Sequence, residues 1–424
     1  MKSVLKKILK WCLILFALYM AITTIILGYQ DTDTEKGIYN FYWSGINAFW
    51  KNDKPFGFKI NQPIETKFNG ADGPYVYKDS VFSISKNNAL SKIKLDTSKP
   101  LTVVTNNTSL PSFTVSLNKN LSQENDHYDM PEKLIAISDI EGNFDALYSF
   151  LLANNVIDKQ ANWIFNDGHL VFNGDFFDRG SEVTQVLWLI YHLENQALLH
   201  GGKVHFIMGN HEIMNLYGHI KYNDQKYIHA AKQICKTKNW NTSIKQLYSQ
   251  DSELGRWLRT KNIVEKIGTI IFVHGGLNKY HLENAYDISE LNTIARKYYG
   301  KVPSKTNIEN DRDEIIVSGI NSPFWDRRLN LDTKHKLALK ASGIDINPTT
   351  QETVNAILKH FKASKIVIGH SLVNDIQTDY NGKVIKIDVK HGLEMNSGKT
   401  KGLLIENNNF YKINDLGDKL SLKH

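Results

Sequence analysis

The sequence predicts an α/β domain behind an apolar N-terminal helix, and three observations carry that prediction. From residue 134 onward, apolar runs of strand length alternate with stretches of helical periodicity. The chain has 424 residues, 42% hydrophobic and 22% charged, which is an ordinary globular composition with enough length for a sizeable core. At the start, Lys2, Lys6, Lys7 and Lys10 precede "WCLILFALYMAITTIILG" (11–28), an uncharged stretch of 18 residues. The formal net charge is +7, and those four lysines leave only +3 for the remainder. No dense Lys/Arg stripe with interleaved aromatics appears, so nucleic acid is not an expected partner. Cys12 and Cys235 are the two cysteines, too few for a disulfide framework or a Cys-based zinc site.

Residues 11–28 are longer than the usual apolar region of a signal peptide and sit at the lower edge of a spanning helix. Ile26-Leu27-Gly28 offers no small-x-small cleavage site, so the segment is expected to remain as a single-pass anchor. Lysines before it and "DTDTE" after it put the N-terminus in the cytoplasm and the body outside, in the periplasm of a Gram-negative cell. A cleaved secretory signal is the alternative, and it too exports the body. Residues 29–130 carry aromatic clusters and short alternating runs such as Val81-Phe82-Ser83-Ile84. They are expected to form a membrane-proximal stalk and an edge of strands packed on the main domain, 131–424.

The main domain reads "KLIAIS", a helix through "NFDALYSFLLANN", "HLVFN", a long helix through "EVTQVLWLIYHLENQALL", then "KVHFIM". In such sheets chemistry collects at the carboxyl ends of the strands. "AISDIEGN" puts Asp139 and Glu141 past the first strand, an i, i+2 pair of carboxylates that is unfavourable without a cation between them. "NGDFFDRG" follows the second with Asp175, Asp178 and Arg179, and "MGNHE" the third with Asn210, His211 and Glu212. "TIIFVHGG" and "KIVIGHS" put His274 and His370 at two further strand ends. Each motif alone is a turn or a core histidine as readily as a ligand. Five of them, each after an apolar run and beside a glycine, form an oxygen-and-nitrogen donor set suited to Mn²⁺, Fe or Zn²⁺.

The motifs "SDIEGN", "GDFFDRG", "GNHE", "VHGG" and "GHS" resemble those of the metallophosphoesterases, the calcineurin-like superfamily that includes the protein serine/threonine phosphatases. More narrowly, "GGKVHFIMGNHEIMNLYGHIKY", "LGRWLRTKNIVEKIGTIIFVHGGL", "SPFWDRR" and "IVIGHSLVNDIQTDYNGKVIKIDV" resemble the Shewanella-like protein phosphatases over about residues 134–406. The resemblance implies two mixed β-sheets flanked by helices, and two divalent ions. It implies that Asp139 and position 141 hold the first ion, that Asp175 bridges both, and that Asn210, His274 and His370 hold the second. A metal-bridging hydroxide would attack phosphorus, with His211 as general acid oriented by Asp178. Arg179 would bind phosphate oxygens, with Arg327 the second such arginine ahead of Arg328, Arg256 and Arg259.

Here the chain departs from its relatives, which usually carry "DxHG". Glu141 stands where they have histidine. With two divalent ions and a bound hydroxide, Asp139, Glu141 and Asp175 bring the site to neutrality, where a histidine would leave one positive charge. Such a site is expected to favour Mn²⁺ and to acidify its water less. The expected function is a metal-dependent phosphomonoesterase acting on small molecules or phosphoproteins. A nucleotide anhydride hydrolase of the diadenosine tetraphosphatase type, or a non-catalytic metal- or phosphate-binding relic, are the alternatives. Retention of His211, Asp178 and Arg179 speaks against the relic.

Overall fold

A computed structural model describes residues 2–27, 41–43, 56–58 and 70–422 apart from 88, 238 and 342. Helix α1 (Lys2–Leu27) opens the chain. Its described side chains run from 4 to 22 and include Lys6, Lys7 and Lys10. Among the described residues no helix is long and apolar enough to cross a membrane. The span expected at 11–28 therefore reaches past the described side chains, and most of the expected stalk also lies outside the described residues.

After the short pair β1 (Phe41–Trp43) and β2 (Phe56–Phe58), the expected edge of strands comprises β3 (Asp72–Tyr77), β4 (Ser80–Ile84), β5 (Leu90–Lys94), β6 (Leu101–Val104) and β7 (Ser112–Val115). It is sewn onto the main domain. Trp188 Nε1 donates to Pro74 O at 2.7 Å, Gln185 Nε2 donates to Ala71 O at 3.1 Å, and Lys226 pairs with Asp72 at 3.1 Å. Tyr75, Val103 and Val115 join the same buried cluster as Leu187 and Trp188.

Two six-stranded mixed sheets follow. Their strands are β8 (His127–Tyr128), β9 (Lys133–Ile137), β10 (His169–Asn173), β11 (Lys203–Ile207), β12 (Val264–Ile267), β13 (Ile270–Val273), β14 (Lys365–Ile368), β15 (Gln377–Asp379), β16 (Val384–Lys386), β17 (Lys401–Glu406), β18 (Asn409–Asn414) and β19 (Lys419–Ser421). One sheet runs β11-β10-β9-β17-β18-β19 and the other β15-β16-β14-β13-β12-β8. β9, β10 and β11 are parallel, as are β13, β14 and β16. The strand β9 shows why these runs are apolar on both faces. Leu134 and Ala136 pack with Phe272, Val367 and Ile385 of the opposite sheet. Ile135 and Ile137 pack with Phe144, Leu147 and Phe150 of the outer helix α2 (Phe144–Ala153).

The expected helices form where the periodicity places them, α2 after β9 and α3 (Val183–Leu199) after β10. α2 is capped by Asn143, whose side chain accepts from Ala146 N at 3.1 Å. A third helix, α4 (Asn210–Tyr217), starts three residues after β11. The helix–strand layering brings the carboxyl ends of β9, β10, β11, β13, β14 and β16 to one rim of the sandwich.

Candidate active site

A cleft of about 580 Å³ lies along that rim, and Asp139, Glu141, Asp175, Arg179, Asn210, His211, Arg327 and His370 line it. Asp178 and His274, the other two site residues expected from sequence, stand directly behind His211 and Asp175. Of the four arginines weighed for the second phosphate contact, Arg327 is the one in the cleft. Arg328 is spent on Ile320 O, Asn321 and Asp326, Arg256 on Glu253, and Arg259 on the carbonyls of Tyr248 and Gly255.

The backbone that presents these groups is unusual. Asp139, Glu141, Asp175, Asp178, Arg179 and His370 all have φ between 49° and 71°, the left-handed region. Such conformations persist only where the surroundings enforce them. Here the turns lace one another: Asp139 N donates to Gly174 O (2.9 Å), Glu141 N to Asp175 O (3.0 Å) and Gly180 N to Glu141 O (2.8 Å). Glycine is required where they meet. A Cβ on Gly369 would lie 2.6 Å from Asp139 Oδ2, and one on Gly174, itself at φ +86°, would run into the His274 ring.

Glu212 organises the second turn, a role not legible from its place in "GNHE". Fully buried, it accepts from the backbone N–H groups of Gly209 (2.7 Å), Asp175 (2.9 Å) and Phe176 (2.8 Å). This is the carboxylate that fixes the Asp175 loop.

Around Asp175 the structure has unsatisfied donors of the kind a metal takes up. Ligand atoms of Asp175, His274 and His370 lie within 4.8 Å of one another, as do those of Glu141, Asp175 and His211. Asn210 Oδ1 and His370 Nε2 are buried atoms with no hydrogen-bond partner among the described residues. His274 Nδ1 bonds Asn173 O at 2.8 Å, which aims Nε2 at Asp175 Oδ2, 3.0 Å away. Burial, reinforced by Arg327, holds His370 well below its ordinary pKa, so its imidazole is neutral as a ligand must be. Burial opposes the charge on Asp175, yet His211 and His274 outweigh it and keep its carboxyl well below the usual range. Asp175, with His274 and His370 on one side and Glu141 on the other, offers oxygen and nitrogen donors that fit divalent ions.

His211 is set apart from that cluster by a dedicated partner. Its Nδ1 lies 2.6 Å from Asp178 Oδ2. Asp178 Oδ1 in turn accepts from Asn215 Nδ2 at 3.0 Å and from Asn223 Nδ2. Burial disfavours the imidazolium, but Asp175 and Asp178 raise the pKa to about 10. Asn215 and Asn223 escaped the sequence reading because they follow no strand. Glu141 forms an ion pair with Arg179, whose guanidinium also lies over the Tyr222 ring.

Side chains that could hold metal, beside a buried histidine–aspartate pair and two arginines, make this the kind of site a metallophosphoesterase needs. The family model for calcineurin-like phosphoesterases matches residues 132–374, and the chain belongs to that family. It is accordingly a phosphatase, a hydrolase acting on phosphoric esters. Shewanella-like protein phosphatase 1 of Plasmodium berghei is 32% identical over 164 residues, which make up 39% of this chain and 44% of that protein. Shewanella-like protein phosphatase 2 of Arabidopsis thaliana is 24% identical over 299 residues, 62% of this chain and 72% of the other. The solved structure of a cold-active protein-tyrosine phosphatase from a psychrophilic Shewanella species superposes with a TM-score of 0.69 at 30% identity. That likeness covers 83% of this chain and 99% of the other, a larger share than residues 134–424 alone can supply. The N-terminal strands are therefore part of it.

Proposed function

We propose that this protein is a membrane-anchored, metal-dependent phosphomonoesterase whose substrates are phosphoproteins. The observation that carries the reading is the His211–Asp178 pair, buried and oriented beside the donor cluster on Asp175. A site that only bound metal or phosphate would have no use for an oriented acid. The three relatives named above are each called a protein phosphatase, which supports the substrate class.

In this reading Asp139, Glu141 and Asp175 hold the first ion, and Asp175, Asn210, His274 and His370 the second. Bound there, the ions supply an activated water and withdraw charge from the phosphoryl oxygens. Arg327, anchored by His370 O (2.9 Å) and Ser371 Oγ (3.0 Å), and Arg179, which also lines the cleft, orient the phosphate. His211 keeps its Nδ1 on Asp178 and gives the Nε2 proton to the departing oxygen. The carboxylate-rich first site favours Mn²⁺ over Fe or Zn²⁺.

Anchoring rests on the four lysines ahead of residues 11–28 and on α1, where Trp11, Leu13, Leu15, Leu18 and Ile22 stand exposed. Carbonate washing of membranes should leave the protein behind, whereas release, or a mature N-terminus near residue 29, would refute the anchor. For the chemistry, the full chain purified in detergent is assayed on nitrophenyl phosphate, a phosphotyrosine peptide and a dinucleoside tetraphosphate, with and without Mn²⁺. Mn²⁺-dependent release from the first two is expected. Preference for the anhydride, or no turnover when Mn²⁺, Fe or Zn²⁺ is supplied in turn, would overturn the assignment.

A further inference from the structure

One carboxylate of the cleft has no part in the scheme above. Asp388 lies two residues beyond β16, at a strand end like the other donors, and lines the cleft with Asp139, Glu141 and Asp175. It is 7% exposed, and its carboxylate makes no hydrogen bond or ion pair among the described residues. Its neighbours are otherwise engaged. Asp178 holds His211, Glu212 holds the backbone of the Asp175 turn, and Glu141 holds Arg179. Arg327 also lines the cleft but gives its hydrogen bonds to His370 O and Ser371 Oγ. A buried, unpaired carboxylate among three others stays ionised only where a cation sits between them.

We propose that Asp388 is a ligand of the first metal ion. It joins Asp139 and Asp175 there, and it takes up the coordination that Glu141, drawn toward Arg179, supplies only in part. The first ion then sits among carboxylates alone, whereas the second has two imidazoles and an amide. The proposal rests on the dinuclear reading above, and the two can fail separately.

The test uses the full chain in detergent, stripped with chelator and titrated with Mn²⁺, against Asp388→Asn, which keeps the shape and removes the charge. Bound metal is counted by mass spectrometry after desalting. Thermal unfolding is followed with and without Mn²⁺, and paramagnetic resonance distinguishes coupled from single Mn²⁺. Wild type should hold two ions per chain, with a coupled spectrum. Asp388→Asn should hold about one, bind the other at least tenfold more weakly, lose the coupled signal and show a smaller Mn²⁺-induced rise in Tm. Its metal-free Tm should not fall, since the carboxyl that is replaced makes no hydrogen bond or ion pair among the described residues. Two ions at unchanged affinity in the variant, or a lowered metal-free Tm, would overturn the Asp388 assignment alone. Fewer than two ions in wild type with Mn²⁺, Fe and Zn²⁺ would overturn the dinuclear reading and the Asp388 assignment with it.

Discussion

In the proposed two-ion reading, the donors assigned to the second ion are held in place by the scaffold itself. His274 is aimed by Asn173 O, Asn210 sits in the first turn of α4, and the orphaned Asn210 Oδ1 and His370 Nε2 converge on Asp175. On the side of the first ion, the donors are carboxylates held by one another's surroundings. Asp139 accepts from His370 N at 3.2 Å, Glu141 leans to Arg179, and Asp388 has no hydrogen-bond or ion-pair partner among the described residues. Burial, then Asp388, pushes Asp139 well above its ordinary pKa, and burial, then Glu141 and Asp175, pushes Asp388 up to about 8. One half is preformed and mixed in donor type, and the other is a crowd of carboxyl groups that a cation would hold ionised. If the proposed two-ion reading holds, metal choice is decided on the carboxylate side.

The harshest way to break the comparison is at the residue both halves share. Asp175→Asn should leave no measurable turnover and strip both ions together, as metal analysis of the desalted protein would record. Loss of one ion only would mean that Asp175 does not bridge.

His211→Ala should keep both ions and lower kcat on a phosphoserine peptide by roughly 10²–10⁴-fold. The loss on nitrophenyl phosphate should be smaller, because nitrophenolate needs little protonation. His211 shares a potential ligand group with Glu141 and Asp175. If the variant loses metal, His211 belongs to the first ion's shell and the acid assignment is wrong.

A weaker effect is expected at Glu141. Glu141→Ala should reduce affinity at the first site by at least about tenfold, leaving about one ion per chain and an intact second site. Two ions and wild-type rates would make Glu141 merely the counter-ion of Arg179. The mildest change sharpens the contrast instead. Glu141→His should stay active, shift metal preference from Mn²⁺ toward Zn²⁺, and move the pH–rate profile down by roughly one unit. An unchanged metal preference would locate selectivity elsewhere.

Much of this site was legible in the sequence because a parallel strand announces its own end. An apolar run, a glycine and a polar residue mark Asp139, Asp175, Asn210, His274 and His370 directly. The same rule would have reached Asp388, but β16 is three residues long and "IKIDV" reads as plain alternation. Glu212, Asn215 and Asn223 were hidden for a different reason. They serve the site by bonding backbone or Asp178 across loops, and no periodicity encodes that. The packing of β3–β7 on α3 depends on hydrogen bonds such as Trp188 to Pro74 O, more than a hundred residues apart in the chain.

The left-handed turns bear on which amino acids each position can accommodate. Aspartate and histidine, with asparagine, adopt that backbone more readily than other side chains. Four of the six residues there are aspartate or histidine, and the two that are not, Glu141 and Arg179, are paired with each other. Glutamate at 141 thus sits against its conformational preference by about 1 kcal/mol, offset in part by that pair. In a library varied at 141 and selected only for folding, histidine, asparagine, aspartate and glycine should outgrow glutamate. Selected instead for turnover in Mn²⁺, glutamate should return.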